Sequence, residues 1–313
     1  MRVLKFMIAA AIVILVAQHA KADTVGLGTM SQGTLSFSTG SVIAKVLNGK
    51  AGLEARVQPN TGETVLIPLV NQGELDFGIA NVLEGGDAFN GEFSFSGIKQ
   101  DKLRIAAVLY PLRVAYFVRA DSDIKSIADM RGKRVVSSFA AMGSLNRVAG
   151  AILANGGLSE ADIVPVPVPN VIKGAEQFLN GRADVFFFAV GAAKVAEVDA
   201  SIKIRVLPLS DERDAVARMH TVFASSYLAK VPPLPNFAGV SEPSNVLAYD
   251  NLLLTGTHVA DETVVKVLKT LAGNKDDLIA GFPLFRGLNP DKLVKEGMPL
   301  PFHDGATAWS KSR

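Results

Sequence analysis

The 313-residue chain has no cysteine. Within this sequence that excludes disulfides, thiolate metal sites, a cysteine nucleophile and a lipid-bearing cysteine. Histidine is scarce: His19, His220, His258 and His303 are the whole set. They lie far apart, and none sits in an H-x-x-x-H or G-x-S-x-G context, so no metal and no hydrolase site is expected. Each reads as a surface or packing residue. There is no basic tract and no interleaving of basic with aromatic residues, which argues against a nucleic-acid partner. Gly26-x-Gly28 is followed next by Gly33, not by a glycine at the spacing a dinucleotide turn requires, so no cofactor is expected. Beyond the first segment, no apolar run is long enough to span a bilayer.

What is present begins with an export pattern. Arg2 and Lys5 form a short positive region, residues 6–17 an apolar run, and Ala20-Lys21-Ala22 a small-x-small cleavage pattern. Residues 1–22 are therefore expected to be a signal peptide cleaved after Ala22. Its removal leaves 29 basic against 30 acidic groups, so the exported protein is near neutral. The remaining length, about 290 residues, suits two domains of ordinary size.

The chain then repeats itself. The strand-like Thr24-Val25-Gly26-Leu27-Gly28 leads through Thr29-Met30-Ser31-Gln32-Gly33-Thr34 into a helical pattern carrying Val42, Ile43, Val46 and Leu47. Lys133-Arg134-Val135-Val136 leads through Ser137-Ser138-Phe139-Ala140-Ala141-Met142-Gly143-Ser144 into a helix with Val148, Ile152 and Leu153. Downstream, a helix over 66–72 stops at Gly73 and is followed by Asp76 and the strand 77–80. Likewise 175–180 stops at Gly181 and is followed by Asp184 and the strand 185–189. Gly33 and Gly143 are 110 positions apart, Asp76 and Asp184 108. One architectural unit is used twice, and its alternation of strand and helix favours open α/β sheets with parallel crossovers. The expected fold is two open-sheet lobes joined by a hinge, with a ligand cleft between them. Lobe 1 takes 23–112 and about 256–313; lobe 2 takes 113–255. The return crossing stays open, because residues 246–255 suit either sheet.

In such sheets ligands bind at the carboxyl ends of the strands. The loop Thr29, Met30, Ser31, Gln32, Gly33 and Thr34, and its counterpart Ala141, Met142, Gly143 and Ser144, offer backbone amides and hydroxyls at helix N-termini. Such ends favour an anion, although ordinary N-capping uses the same residues. Asn81 is expected to read a second polar group and Tyr110 to line the hinge side. Arg113 is either a clamp for a carboxylate or a solvated surface residue. Phe186, Phe187 and Phe188 alternate across a strand, with Phe187 placed toward the cleft. Asp76 and Asp184 are assigned to turn hydrogen bonds at strand entrances, not to a catalytic pair.

Several stretches also resemble the TAXI family of TRAP-transporter solute receptors, which have a type II periplasmic binding-protein fold. They are residues 28–34, Gly78-Ile79-Ala80-Asn81, Leu109-Tyr110-Pro111, the segment 126–135, Asp184 through Phe188 with Gly191, and Pro301-Phe302-His303-Asp304-Gly305-Ala306. The resemblance implies a periplasmic, monomeric, non-enzymatic receptor that delivers a small organic acid to a TRAP-type, ion-driven membrane permease. Leu35, Ser36 and Phe37 stand where that family has paired Tyr and Pro, and Ser138 to Met142 replace its small-residue run. The expected ligand is thus an acid with a larger apolar body than glutamate. A sensory module signalling to a membrane kinase, or an enzyme on the same fold, are the alternatives.

Overall fold

The structure, a computed structural model, describes residues 23–224 and 226–313. The expected signal peptide and its cleavage point lie outside the described residues. Two copies of one unit build most of the sheet. In the first, β1 (Asp23–Met30), α1 (Leu35–Lys50), β2 (Leu53–Asn60), α2 (Glu63–Gln72) and β3 (Phe77–Asn81) follow one another, and β1 lies between β2 and β3, parallel to both. Helix α3 (Val82–Asn90) and the long β4 (Leu103–Arg119) come next. The second unit is β5 (Arg134–Phe139), α4 (Ser144–Asn155), β6 (Val164–Val168), α5 (Val171–Leu179) and β7 (Val185–Ala189), with β5 in the middle, again parallel to both neighbours. Then follow α6 (Ala193–Ser201), β8 (Ile204–Val206), α7 (Arg213–Val222), β9 (Tyr227–Val231), β10 (Ser244–Gly256), α8 (Asp261–Gly273), α9 (Lys275–Gly281) and α10 (Asp304–Lys311).

The strand order is β2-β1-β3-β10-β4-β7-β5-β6. Two triplets thus flank two long strands that belong to both. Strand β4 pairs with β10 from Leu103 to Val114, then turns its other partners, β7 and β8, to residues 114–119. Strand β10 pairs with β9 through Ser244–Ala248 and with β3 through Asn251–Thr255. The ambiguity of 246–255 in the sequence has a physical cause: this strand pairs with β3, β4 and β9 along its length. By pairing, residues 251–255 of β10 lie beside β3 of the first triplet, and residues 244–248 beside β9.

Each unit is tied by the same device. The backbone N–H of Asp76 donates to Gly26 O (3.1 Å) while its Oδ2 accepts from Gly26 N (2.7 Å). Asp184 N donates to Arg134 O (2.8 Å) and its Oδ2 accepts from Arg134 N (3.0 Å). Each aspartate therefore reaches across to the first strand of its unit instead of closing a local turn. The helices before them stop where glycine takes positive φ, at Gly73 (83°) and Gly181 (69°). Apolar side chains fill both sides of the sheet, with Ile43, Leu47 and Phe77 buried in the first unit and Phe117, Phe139 and Phe186 in the second. Burial of each such side chain contributes roughly 1.5–3 kcal/mol. Among the described residues no helix is long and apolar enough to cross a membrane.

Candidate functional site

The carboxyl ends of the two triplets face each other across β4 and β10 and enclose a cavity of about 40 Å³. The first unit contributes Met30, Thr34, Leu35 and Ser36 after β1, Glu63 at the start of α2, and Asn81 at the end of β3. The second contributes Met142 and Leu145 around the start of α4, Val171, and Phe187 with Phe188 on β7. Leu112 and Val114 on β4, and Tyr249 and Asn251 on β10, form the hinge side.

The first loop is shorter than its sequence suggests. β2 runs alongside β1 as far as the Met30–Asn60 pair, so Thr29 and Met30 are strand residues. Thr29 is fully buried and its hydroxyl bonds Met30 O (3.0 Å), away from the cavity. Ser31 Oγ donates to Asn60 O, Gln32 is exposed, and Gly33 O accepts from Lys194 N (3.1 Å) across the cleft. Thr34 caps α1, accepting from Phe37 N (3.2 Å) and donating to Ser31 O (2.8 Å). Ser36 Oγ is likewise used by Met30 N and Ile79 O. Beside the cavity, what α1 has left to offer a ligand are the first-turn amides of Leu35 and Ser36, which have no carbonyl within the helix to bond.

The second loop is already occupied. Strand β5 continues to Phe139 with a bulge at Ser138 (φ 57°), so Ser137, Ser138 and Phe139 are not loop residues. At the N-terminus of α4, Ser144 N donates to Glu84 Oε2 (2.9 Å) and Gly143 N to Thr64 Oγ1 (3.3 Å). Thr64 in turn donates to Glu84 Oε1 (2.8 Å). A carboxyl from the opposite lobe thus takes the anion position that helix N-termini favour. One turn on, Arg147 bonds Asp87 (2.5 Å) and lies 3.7 Å over the ring centre of Phe93. Asn170 Nδ2 adds a bond to Thr61 O (3.2 Å), and Gly62 packs against Ala141. The lobes are clasped.

The polar end of the cavity is made by residues the sequence did not single out. Glu63 is buried, and its carboxyl accepts from Asn81 N (3.2 Å) and, by a short bond, from Asn81 Nδ2. Burial, and then the charge of Glu84, push its pKa well above the carboxylate range. Asn81 Oδ1 is also engaged: it accepts from Leu83 N and Glu84 N to cap α3. Tyr249 Oη and Asn251 Nδ2 are buried with no hydrogen-bond partner, and so is Ser144 Oγ. Burial also raises the Tyr249 phenol, with Glu63 and Glu84 adding to the effect. No lysine, arginine or histidine is among the lining residues.

Of the residues singled out in sequence, Met30, Thr34, Asn81, Met142 and Phe187 meet at the cavity. Ala141, Gly143 and Ser144 lie in the clasp beside it. Tyr110 is in the core, sharing a short hydrogen bond with Thr39 and packed edge-on to Phe285. Arg113 does not line the cavity. Because alternate residues of a strand face opposite ways, the inward placement of Leu112 and Val114 sends it to the far side, within electrostatic reach of Tyr227. The histidines are also remote: His220 bonds Ser226 O, His258 lies 4.0 Å from Asp76, and His303 caps α10. The strand-end rule that selected the Thr29 loop would also have selected Glu63, just after β2. Nothing local marked Tyr249 or Asn251.

Solved structures share this fold. MatC from Rhodopseudomonas palustris, solved with bound malate, aligns with a TM-score of 0.61 at 14% identity, covering 92% of this chain and 98% of that one. The binding component of a phosphonate ABC transporter from Pseudomonas aeruginosa gives 0.58 at 11% identity, over 86% and 80%. A Bordetella bronchiseptica protein gives 0.57 at 12% identity, over 93% and 98%. The likeness is one of fold: two α/β lobes in the manner of type II periplasmic binding proteins. The model of the NMT1-like family matches residues 27–311, from within β1 to the end of α10, and the chain belongs to that family.

Proposed function

We propose that this protein is a periplasmic solute receptor that closes its lobes on a small organic molecule and presents it to a membrane permease. The observation that carries the reading is the cavity at the crossing of β4 and β10, where Tyr249 Oη and Asn251 Nδ2 are buried without partners. Each such group costs about 1–3 kcal/mol unless something bonds it, and both face the cavity, where a polar group of a ligand would reach them. The cavity of about 40 Å³ is far smaller than the roughly 150 Å³ that takes up benzene, so capture requires the lobes to part and close again by hinge bending.

An organic acid with a compact apolar body suits part of this site. The free amides of Leu35 and Ser36 and the α1 dipole would hold the acid, and Leu112, Leu145, Val171 and Phe187 the body. A TRAP-type, ion-driven permease is the partner in this reading, on the motifs shared with the TAXI receptors.

Native mass spectrometry of the purified protein, followed by thermal-shift screening of organic acids, tests it. A small acid that copurifies, or stabilises the fold and is recovered unchanged, is the expected result. No stabilisation by any small molecule, or recovery of a chemically altered ligand, would overturn the receptor reading.

A further inference from the structure

Among the described residues, the cavity is lined by a buried carboxyl and by no cationic side chain. Glu63 is 3% exposed, lines the cavity, and bonds only through Asn81. A carboxyl has about four lone-pair positions, and Asn81 uses two of them. The charged and titratable groups facing Glu63 are Glu84 on α3 and Tyr249 on β10; neither can neutralise it. Tyr249 Oη, lining the same cavity, supplies an acceptor or donor, and Asn251, beside the Tyr110 hydroxyl, an Nδ2 that meets no acceptor in hydrogen-bond geometry among the described residues.

We propose that Glu63, Tyr249 and Asn251 form a subsite for a basic nitrogen, so that the solute captured in this cleft carries a protonated amine or amidine on a compact apolar body. The inference rests on the receptor reading above and names the group its ligand must bear. A buried carboxylate is costly alone, and an opposite charge within a few ångströms offsets part of that cost and favours its ionised form. An arriving ammonium would bond the free oxygen positions of Glu63 and the Tyr249 oxygen, leaving Asn251 Nδ2 for an acceptor elsewhere on the ligand. Burial raises the Glu63 pKa and so favours its neutral form, and a bound cation works the opposite way, so over the range in which Glu63 titrates binding is coupled to loss of its proton. Amine affinity therefore rises with pH until Glu63 is ionised without ligand, and a carboxylate ligand shows no such release.

The probes are propyl-, butyl- and isopentylamine, with the carboxylic acids and alcohols of the same carbon bodies. Binding is measured by calorimetry in buffers of different ionisation enthalpy, on wild type and on Glu63→Gln. Glutamine keeps an oxygen for Asn81, and a circular-dichroism melt checks that the variant folds. The expected result is that the amines bind more tightly than their acids and alcohols, release a proton, and weaken at least tenfold in Glu63→Gln. Amines that bind no better than the alcohols, or equally well to both proteins, overturn the subsite. If acids bind while amines do not, this inference fails and the receptor reading stands. If no small molecule binds or copurifies, both fail.

Discussion

Tyr116 and Tyr249 both bury a hydroxyl that has no partner among the described residues, and of the two only Tyr249 lines the cavity. The Tyr249 ring packs 5.5 Å from Phe223, which repays burial of the apolar part, but its hydroxyl has no partner. Removing a hydroxyl that bonds nothing should not destabilise the fold, and removing one that a ligand bonds should weaken binding. Tyr249→Phe is therefore expected to unfold in urea at the same or a higher midpoint while losing at least fivefold in ligand affinity. Equal loss of stability and affinity would assign the hydroxyl to the fold. At this scale the sequence was legible only where a residue's role is local. Thr34 was recognisable as a helix cap because capping depends on its own neighbours, and it does cap α1. Glu63 was reachable only through its place just after β2, and its burial against Asn81 and Glu84 depends on packing that no local pattern shows.

Among the elements, the facing ends of α3 and α4 set the balance of the clasp. Burial pushes the Asp87 carboxyl up to about 6, although the adjacent Arg147 guanidinium pulls it down. A group with a raised folded pKa binds its proton more tightly folded than unfolded. Its stabilising contribution is complete below about 4, the unfolded value, and is lost as pH rises through about 6. Melting temperature measured from pH 4 to 7 is thus expected to fall for wild type relative to Asp87→Asn, most steeply below about 6. Parallel profiles would show that Asp87 titrates normally. The elements themselves were well marked in the sequence: helix stops at Gly73 and Gly181, and the strands after Asp76 and Asp184, stand where periodicity and turn chemistry put them. Strand ends were misplaced where a neighbour extended them, as β2 extends β1 through Met30.

For the whole molecule, the question is how closely the lobes approach. A Cβ on Gly62 would sit 2.0 Å from Ala141 O and 3.0 Å from the Met142 side chain, in the opposite lobe. Gly62 has an extended φ of −177°, so alanine strains nothing within its own lobe, and the poorer helix cap costs about 1 kcal/mol or less. Gly62→Ala should therefore hold the lobes apart, with a larger radius of gyration by small-angle scattering and at least tenfold weaker ligand binding, at little cost in melting temperature. An unchanged radius and affinity would mean that the lobes need not meet there. The repeat of one unit, the α/β class and the cleft between two lobes were readable from residue patterns, because periodicity, turn residues and matched offsets involve near neighbours in the chain. Tertiary structure alone decided what fills and lines that cleft. The amide of Ser144, free on any local reading, is taken by Glu84 sixty positions away, and a single strand, β10, brings Tyr249 and Asn251 to Glu63. Which donors a site has left depends on partners that only folding brings into reach.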